Sequence, residues 1–211
     1  MTIVEKLPVA RTLQPGSTGW TAADLNIPAI ERIWEREHYE IVEGVLATMA
    51  PAYFDGSAAL DAVGLLLQLH FRQAGEDWKS AHEPDVILSP TRVVKPDLVF
   101  LSPADQIRQK TENAKRGKKR LTYGRLLLPP SLVIESLSID HETHDTHTKR
   151  RWYAEFNIPN YWLLNAYTRK LECLVLDGPD YRLDIAGKGN ATLRPSAFPS
   201  LVIPLKTIWA A

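Results

Sequence analysis

Two acidic residues stand where an apolar side chain would be cheaper. In "LVIESLS", Leu132, Val133, Ile134 and Leu137 leave neither odd nor even positions consistently polar, the pattern of a strand buried on both faces, yet Glu135 sits at its centre. A carboxylate withdrawn from water costs several kcal/mol unless something pairs with it. Asp97 is the second case, following Pro96 at the entrance of "DLVFL", where proline suits the first turn of a strand or an edge and breaks a central ladder. If the two strands are neighbours, both carboxylates converge on one point, and a hard divalent cation, Mg2+ or Mn2+, offsets their desolvation. The plainer reading gives each acid an arginine or a turn to cap, and for a single buried acid that reading is the better one. Two acids, followed by Asp145 and Lys149, shift the balance towards a metal.

The surrounding chain supplies elements to hold them. Its 211 residues, 45% hydrophobic and 24% charged, suffice for one substantial core, and one domain over residues 20–211 is expected behind an N-terminal arm of residues 1–19 that is loose or covers a sheet edge. Thr21 offers an N-cap to a short helix in "WTAADLNIPAIERIW"; "HYEIVEGVLATMAP" reads as a β-hairpin turning at Glu43 and Gly44. From Ser57 to Gln73 the row Leu60, Val63, Gly64, Leu67, Phe71 recurs at helical spacing. "DVILS" and "KPDLVFLS" suggest a second antiparallel pair, and "THDTHTKRRWYAEF" a helix with Thr143 as cap. "NIPNYWLLNAYTRKLECLVL" then reads as a turn and another hairpin, followed by "YRLDIA" and "FPSLVIPLKTIW". The fold class is α/β or α+β: a mixed β-sheet flanked by helices, preceded by an N-terminal helix and hairpin.

At this point the residues carry a likeness. "KPDLVFL", then "PPSLVIESLS", then "HDTHTKRRWYAEFNIPNYWLLN" resembles the Uma-type restriction endonuclease family, a branch of the PD-(D/E)XK nuclease superfamily, from Thr21 through to the final "FPSLVIPLKTIW". The resemblance implies a restriction-endonuclease-like core and Mg2+-dependent hydrolysis of DNA phosphodiesters. Asp97 resembles the aspartate of the PD motif and Glu135 the acidic member of the (D/E)XK strand, both as metal ligands. Leu137 stands where the superfamily's strand lysine is expected, and the family instead places an aspartate and a lysine on the next helix, here Asp145 and Lys149. Lys149 is four residues from both Asp145 and Tyr153, so all three share a stripe. Without the resemblance, Lys149 reads equally well as a surface ion pair with Asp145. Glu40 matches an acid placed just before the family's hairpin turn, against the reading of an exposed strand glutamate. Gly56 stands where the family commonly has a histidine, and Asn157 where it has a glycine.

Charge and cysteine content limit the partners. Lys plus Arg equals Asp plus Glu at 25 each, so no overall field draws the molecule to a polyanion. DNA must meet a local patch, and the run from Arg108 to Arg125, with Lys115, Arg116, Lys118, Lys119 and Arg120 at its centre, is the candidate, as a long basic loop or frayed helix. A solvated loop without a ligand is an equal reading, and Tyr123 alone gives no aromatic interleaving for single-strand stacking. Cys173 in "LECLVL" reads as a buried strand thiol, which with the absence of an apolar span points to a cytoplasmic protein away from membranes. His141, His144 and His147 raise a zinc site, but three residues per step walk round a helix instead of holding one face. Cleavage of two strands by two sites makes a homodimer the expectation. The rival reading is a nuclease fold that has lost cleavage and serves as a nucleic-acid-binding or interaction module.

Overall fold

The computed structural model describes residues 12–49, 53–115, 125–137 and 144–209, the side chains of residues 144–146 excepted. The first sheet begins as a hairpin, β1 (Tyr39–Val42) and β2 (Val45–Thr48), turned by Glu43 (φ 50°) and Gly44 (φ 77°). Two consecutive left-handed residues match the right-handed twist of the strands they join. β4 (Val86–Ser89) and β5 (Arg92–Val94) complete the order β2-β1-β5-β4. Gly16 donates to the Leu46 carbonyl and Leu46 to that of Ser17, so the chain just before residue 19 covers the β2 edge.

α1 (Pro28–Trp34) packs beneath this sheet, with Ile30 and Trp34 joining Trp20, Leu25, Ile41, Leu46 and Val93 in one apolar cluster. Thr21 does not cap it. Instead the Thr21 N–H and hydroxyl both donate to Asp24 Oδ2 at 2.8 Å in a preceding 3-10 turn. The α1 N-cap is Ile27, and Pro28 has no N–H that needs a partner.

The second sheet runs β10-β9-β8-β7-β6-β3. Its members are β3 (Lys79–His82), β6 (Leu98–Leu101), β7 (Leu132–Ser136), β8 (Asn160–Asn165), β9 (Lys170–Asp177) and β10 (Asp180–Lys188). The β7-β8 pair is parallel, and its crossover carries a π-helical turn (His144–Lys149) running directly into α4 (Arg150–Glu155). Thr143, the expected cap, lies outside the described residues. "DVILS" and "KPDLVFLS" do not pair with each other: β4 pairs with β5, and β6 pairs with β3 and β7. Pro96 cannot donate to a ladder, so the chain leaves one sheet at Val94 and enters the other at Leu98. β3, "KSAH", has no apolar alternation to announce it.

α2 (Phe54–Gln73) buries Leu60, Val63, Gly64, Leu67 and Phe71 against Leu98, Phe100, Leu132, Ile134, Trp162 and Leu164 on one face of this sheet, joined by α5 (Leu205–Ile208). A Cβ at Gly64 would lie 3.1 Å from Leu98 Cδ2, which is how closely α2 approaches β6. Val99, Val133, Tyr161 and Leu163 on the opposite face meet Trp152 and Tyr153 of α4 and Val86 and Val94 of the first sheet. The short β11 (Thr192–Leu193) and β12 (Ile203–Pro204) form a separate pair. The first half of the basic run is an ordered helix, α3 (Pro103–Lys115), whose start is closed by Ser102 and Asp105 bonding reciprocally to each other's backbone N–H.

Asp85 gathers an ion network on the α1 side of the first sheet. It accepts from Trp34 Nε1 at 2.9 Å and Arg125 Nε at 3.0 Å, and pairs with Lys95 Nζ at 2.9 Å. Removing one partner from a buried ion network leaves the others uncompensated. Asp85→Ala is therefore expected to lower the urea unfolding free energy by about 3–5 kcal/mol. Asp177→Ala, which breaks an exposed pair with Arg182, should change it by less than about 1 kcal/mol.

Candidate active site

The β6-β7 ladder sets the geometry. Leu98 faces Ile134 and Val99 faces Val133, so one further step brings Asp97 opposite Glu135 with both side chains on the same face. Each acid is held by the other's strand: the Asp97 N–H donates to Glu135 Oε2 at 3.4 Å, and the Ser136 N–H to Asp97 Oδ2 at 2.6 Å. The cation comes from the crossover. Lys149 Nζ lies 3.3 Å from Glu135 Oε1 and 3.3 Å from Glu40 Oε1. One turn later, the Tyr153 hydroxyl donates to the same Glu135 Oε1 at 2.6 Å. Glu40 arrives from the first sheet: Tyr39 and Ile41 face the apolar cluster over α1, so alternation turns Glu40 the other way, where its Oε1 also accepts the Lys95 N–H at 2.9 Å.

Glu40, Glu135 and Lys149 are 5%, 1% and 5% exposed, whereas Asp97 keeps a partly exposed edge. Burial and then the neighbouring Glu135 charge push the Asp97 carboxyl up to about 7, against the opposing pull of Lys149 and the Ser136 N–H. Burial, reinforced by Glu135, holds the Tyr153 phenol well above its ordinary range, so it remains a proton donor. Glu40 and Glu135 thus share one ammonium, with the Asp97 carboxyl beside Glu135. Among the described residues no group of three or more His, Cys, Asp or Glu side chains forms a metal cage. Asp97 and Glu135 present carboxylate oxygens on one face, the hard donors of which Mg2+ typically takes one or two before completing its shell with water and phosphate oxygens. Asp97 and Glu135 are the donors suited to hold it.

The structure therefore gathers Asp97, Glu135, Lys149, Glu40 and Tyr153 in one place, although they come from β1, the β6 entrance, β7 and the crossover. The surface-pair reading of Lys149 and the exposed reading of Glu40 are both overturned by their burial against each other. The Asp145 side chain, Arg116, Lys118, Lys119, Arg120, Tyr123 and His141 lie outside the described residues. Lys115 is exposed at the end of α3, 3.3 Å from Glu112. Arg125, expected to meet phosphate, is instead buried on Asp85, and Arg108 is tied to Asp105. Sequence reasoning missed Lys95, whose N–H holds Glu40 while its ammonium holds Asp85; its adjacency to Pro96-Asp97 is the only signal. Gly56 lies in the first turn of α2, where a Cβ would come 2.8 Å from the Oγ of Ser136, the residue after Glu135. Asn157 adopts φ 60°, the left-handed conformation that asparagine tolerates.

This joined pair of sheets, with acids at the β6 and β7 ends and a crossover helix over them, defines a restriction-endonuclease-like α+β fold. A crystal structure described as "a putative nuclease belonging to DUF820" from Anabaena variabilis ATCC 29413 is similar to it, with a TM-score of 0.63 at 14% identity over 82% of this chain and 89% of that one. Residues 28–206 match the model of the Uma2 family, described as "Putative restriction endonuclease", and the chain belongs to that family. No curated protein matches it.

Asp97 gives a signed pH dependence. Its folded pKa is above the unfolded value, so its contribution to stability is complete below about pH 4 and is lost as pH rises through about 7. Asp97→Asn is expected to melt higher than wild type at pH 8, by roughly 1–2 kcal/mol given the partly exposed carboxyl, with the difference vanishing towards pH 4 in a thermal series.

Proposed function

We propose that the protein is a Mg2+-dependent endonuclease hydrolysing DNA phosphodiester bonds, with Mn2+ as an effective substitute. The observation that supports this most directly is the pairing of Asp97 and Glu135 on one face, with Lys149 3.3 Å from Glu135. In this reading Asp97 and Glu135 hold the cation, and the Ser136 N–H fixes the Asp97 carboxylate towards it. The bound ion supplies Lewis acidity and a more acidic water. Lys149 offsets negative charge on the nonbridging phosphate oxygens, and Glu40 holds that ammonium in place. No nucleophilic side chain is needed. Lys115 and the following Arg116, Lys118, Lys119 and Arg120 supply DNA phosphate contacts, each adding about 0.9 to the magnitude of the logarithmic salt slope. Among the described residues no helix is long and apolar enough to cross a membrane. In this reading the protein acts on DNA in the cytoplasm, as a homodimer where both strands are cut.

Purified protein should cleave DNA with Mg2+ or Mn2+, and Glu135→Ala should lose at least about 10²-fold in rate while retaining DNA binding. If duplex, branched and single-stranded DNA are all bound and none is cut, cleavage is lost and the fold serves as a binding module.

A further inference from the structure

Glu135 is engaged asymmetrically. Its Oε1 receives both the Tyr153 hydroxyl, at 2.6 Å, and the Lys149 ammonium, at 3.3 Å, while its Oε2 is the oxygen turned to Asp97. The two donors differ in how firmly they hold. Lys149 stands equally far from Glu40 and Glu135, so among the described residues its ammonium is shared between at least these two carboxylates. Tyr153 has one, and its ring is wedged edge-on against Tyr161 at 5.3 Å; Tyr161 in turn tilts against Tyr181 at 5.5 Å, whose hydroxyl is fixed on the Ile158 carbonyl at 2.6 Å. All three rings are buried.

We propose that Tyr153 is a positioning residue that reserves Glu135 Oε1 and so restricts Glu135 to one-oxygen ligation, giving the site a preference for Mg2+ or Mn2+ over Ca2+. The inference rests on Asp97 and Glu135 being the cation site. Its physical basis is the difference between the ions. Mg2+ demands a compact octahedral shell, whereas Ca2+ readily takes both oxygens of one carboxylate and a larger, irregular shell. A phenol locked on one oxygen withholds the second from the larger ion. Hydrogen-bonding partners behind a ligand commonly govern metal affinity in this way, by about 10–100-fold.

The test is metal binding by the full chain, without DNA. Mn2+ affinity is measured by the paramagnetic resonance of the free ion, and Ca2+ affinity by its competition, for wild type, Tyr153→Phe and Glu135→Gln. Tyr153→Phe should weaken Mn2+ binding by about 10-fold and narrow the Mn2+ to Ca2+ affinity ratio, while Glu135→Gln abolishes tight binding of both. An unchanged ratio in Tyr153→Phe, with Glu135→Gln still defective, overturns the role of Tyr153 and leaves the cation site standing. Mn2+ binding that survives Glu135→Gln overturns the cation site and this inference together. A second readout needs no variant: in wild type labelled with 13C-glutamate, Mn2+ should widen the gap between the asymmetric and symmetric carboxylate stretches, as one-oxygen ligation does. A narrowed gap means both oxygens bind and overturns the proposal.

Discussion

The site depends on an imbalance of charge in a dry place. Glu40 and Glu135 share Lys149, and among the described residues no ion pair reaches Asp97, which stands against Glu135. Like charges brought together at low dielectric repel far more strongly than in water. The fold tolerates the arrangement because dipoles do what counter-charges do not: backbone N–H groups from Lys95, Asp97 and Ser136, and the Tyr153 hydroxyl, all aim at carboxylate oxygens. Since the groups sit on different elements, no single side chain can swing away to relieve the repulsion. A site preorganised in this way has already met the cost of bringing its acids together.

The tripeptide Lys95-Pro96-Asp97 is where the two sheets become one machine. Lys95 donates to Glu40 of the first sheet, Asp97 donates to Glu135 of the second, and Pro96 between them has nothing to donate. The same lysine sends its ammonium into the Asp85 network with Trp34 and Arg125. Packing on the far side of the first sheet is thereby connected through a short stretch of backbone to the spacing of the acids.

Much of this was legible in the residues. Glu135 declared itself because a charge in an all-apolar strand has few explanations, and Asp97 because proline marked a strand entrance. The helical stripe of α2 and the Glu43-Gly44 turn follow from local rules of spacing and backbone conformation, which act within a few residues and so survive without tertiary context. The pairing of "DVILS" did not, because strand partners are chosen by long-range packing, and two short β-rich runs adjacent in sequence are indistinguishable from a hairpin until the sheets are seen. Arg125 was misread for a related reason: inside a run of basic residues nothing local separates the one arginine whose partner, Asp85, lies far back in the chain. Lys95 was invisible because its contribution is made largely by its backbone N–H, which every residue but proline possesses.

The order in which the site's pieces are synthesised has a consequence for the cell. Glu40 and Lys95 are separated by 55 positions and Asp97 and Glu135 by 38, and Lys149 follows them all on a crossover that docks only when β8 takes its place beside β7. Contacts of such long sequence range form late in folding. A partly translated chain, or one opened by proteolysis, therefore carries the acids without their assembled surroundings. Whatever chemistry the acids support would be withheld until the last strands had closed.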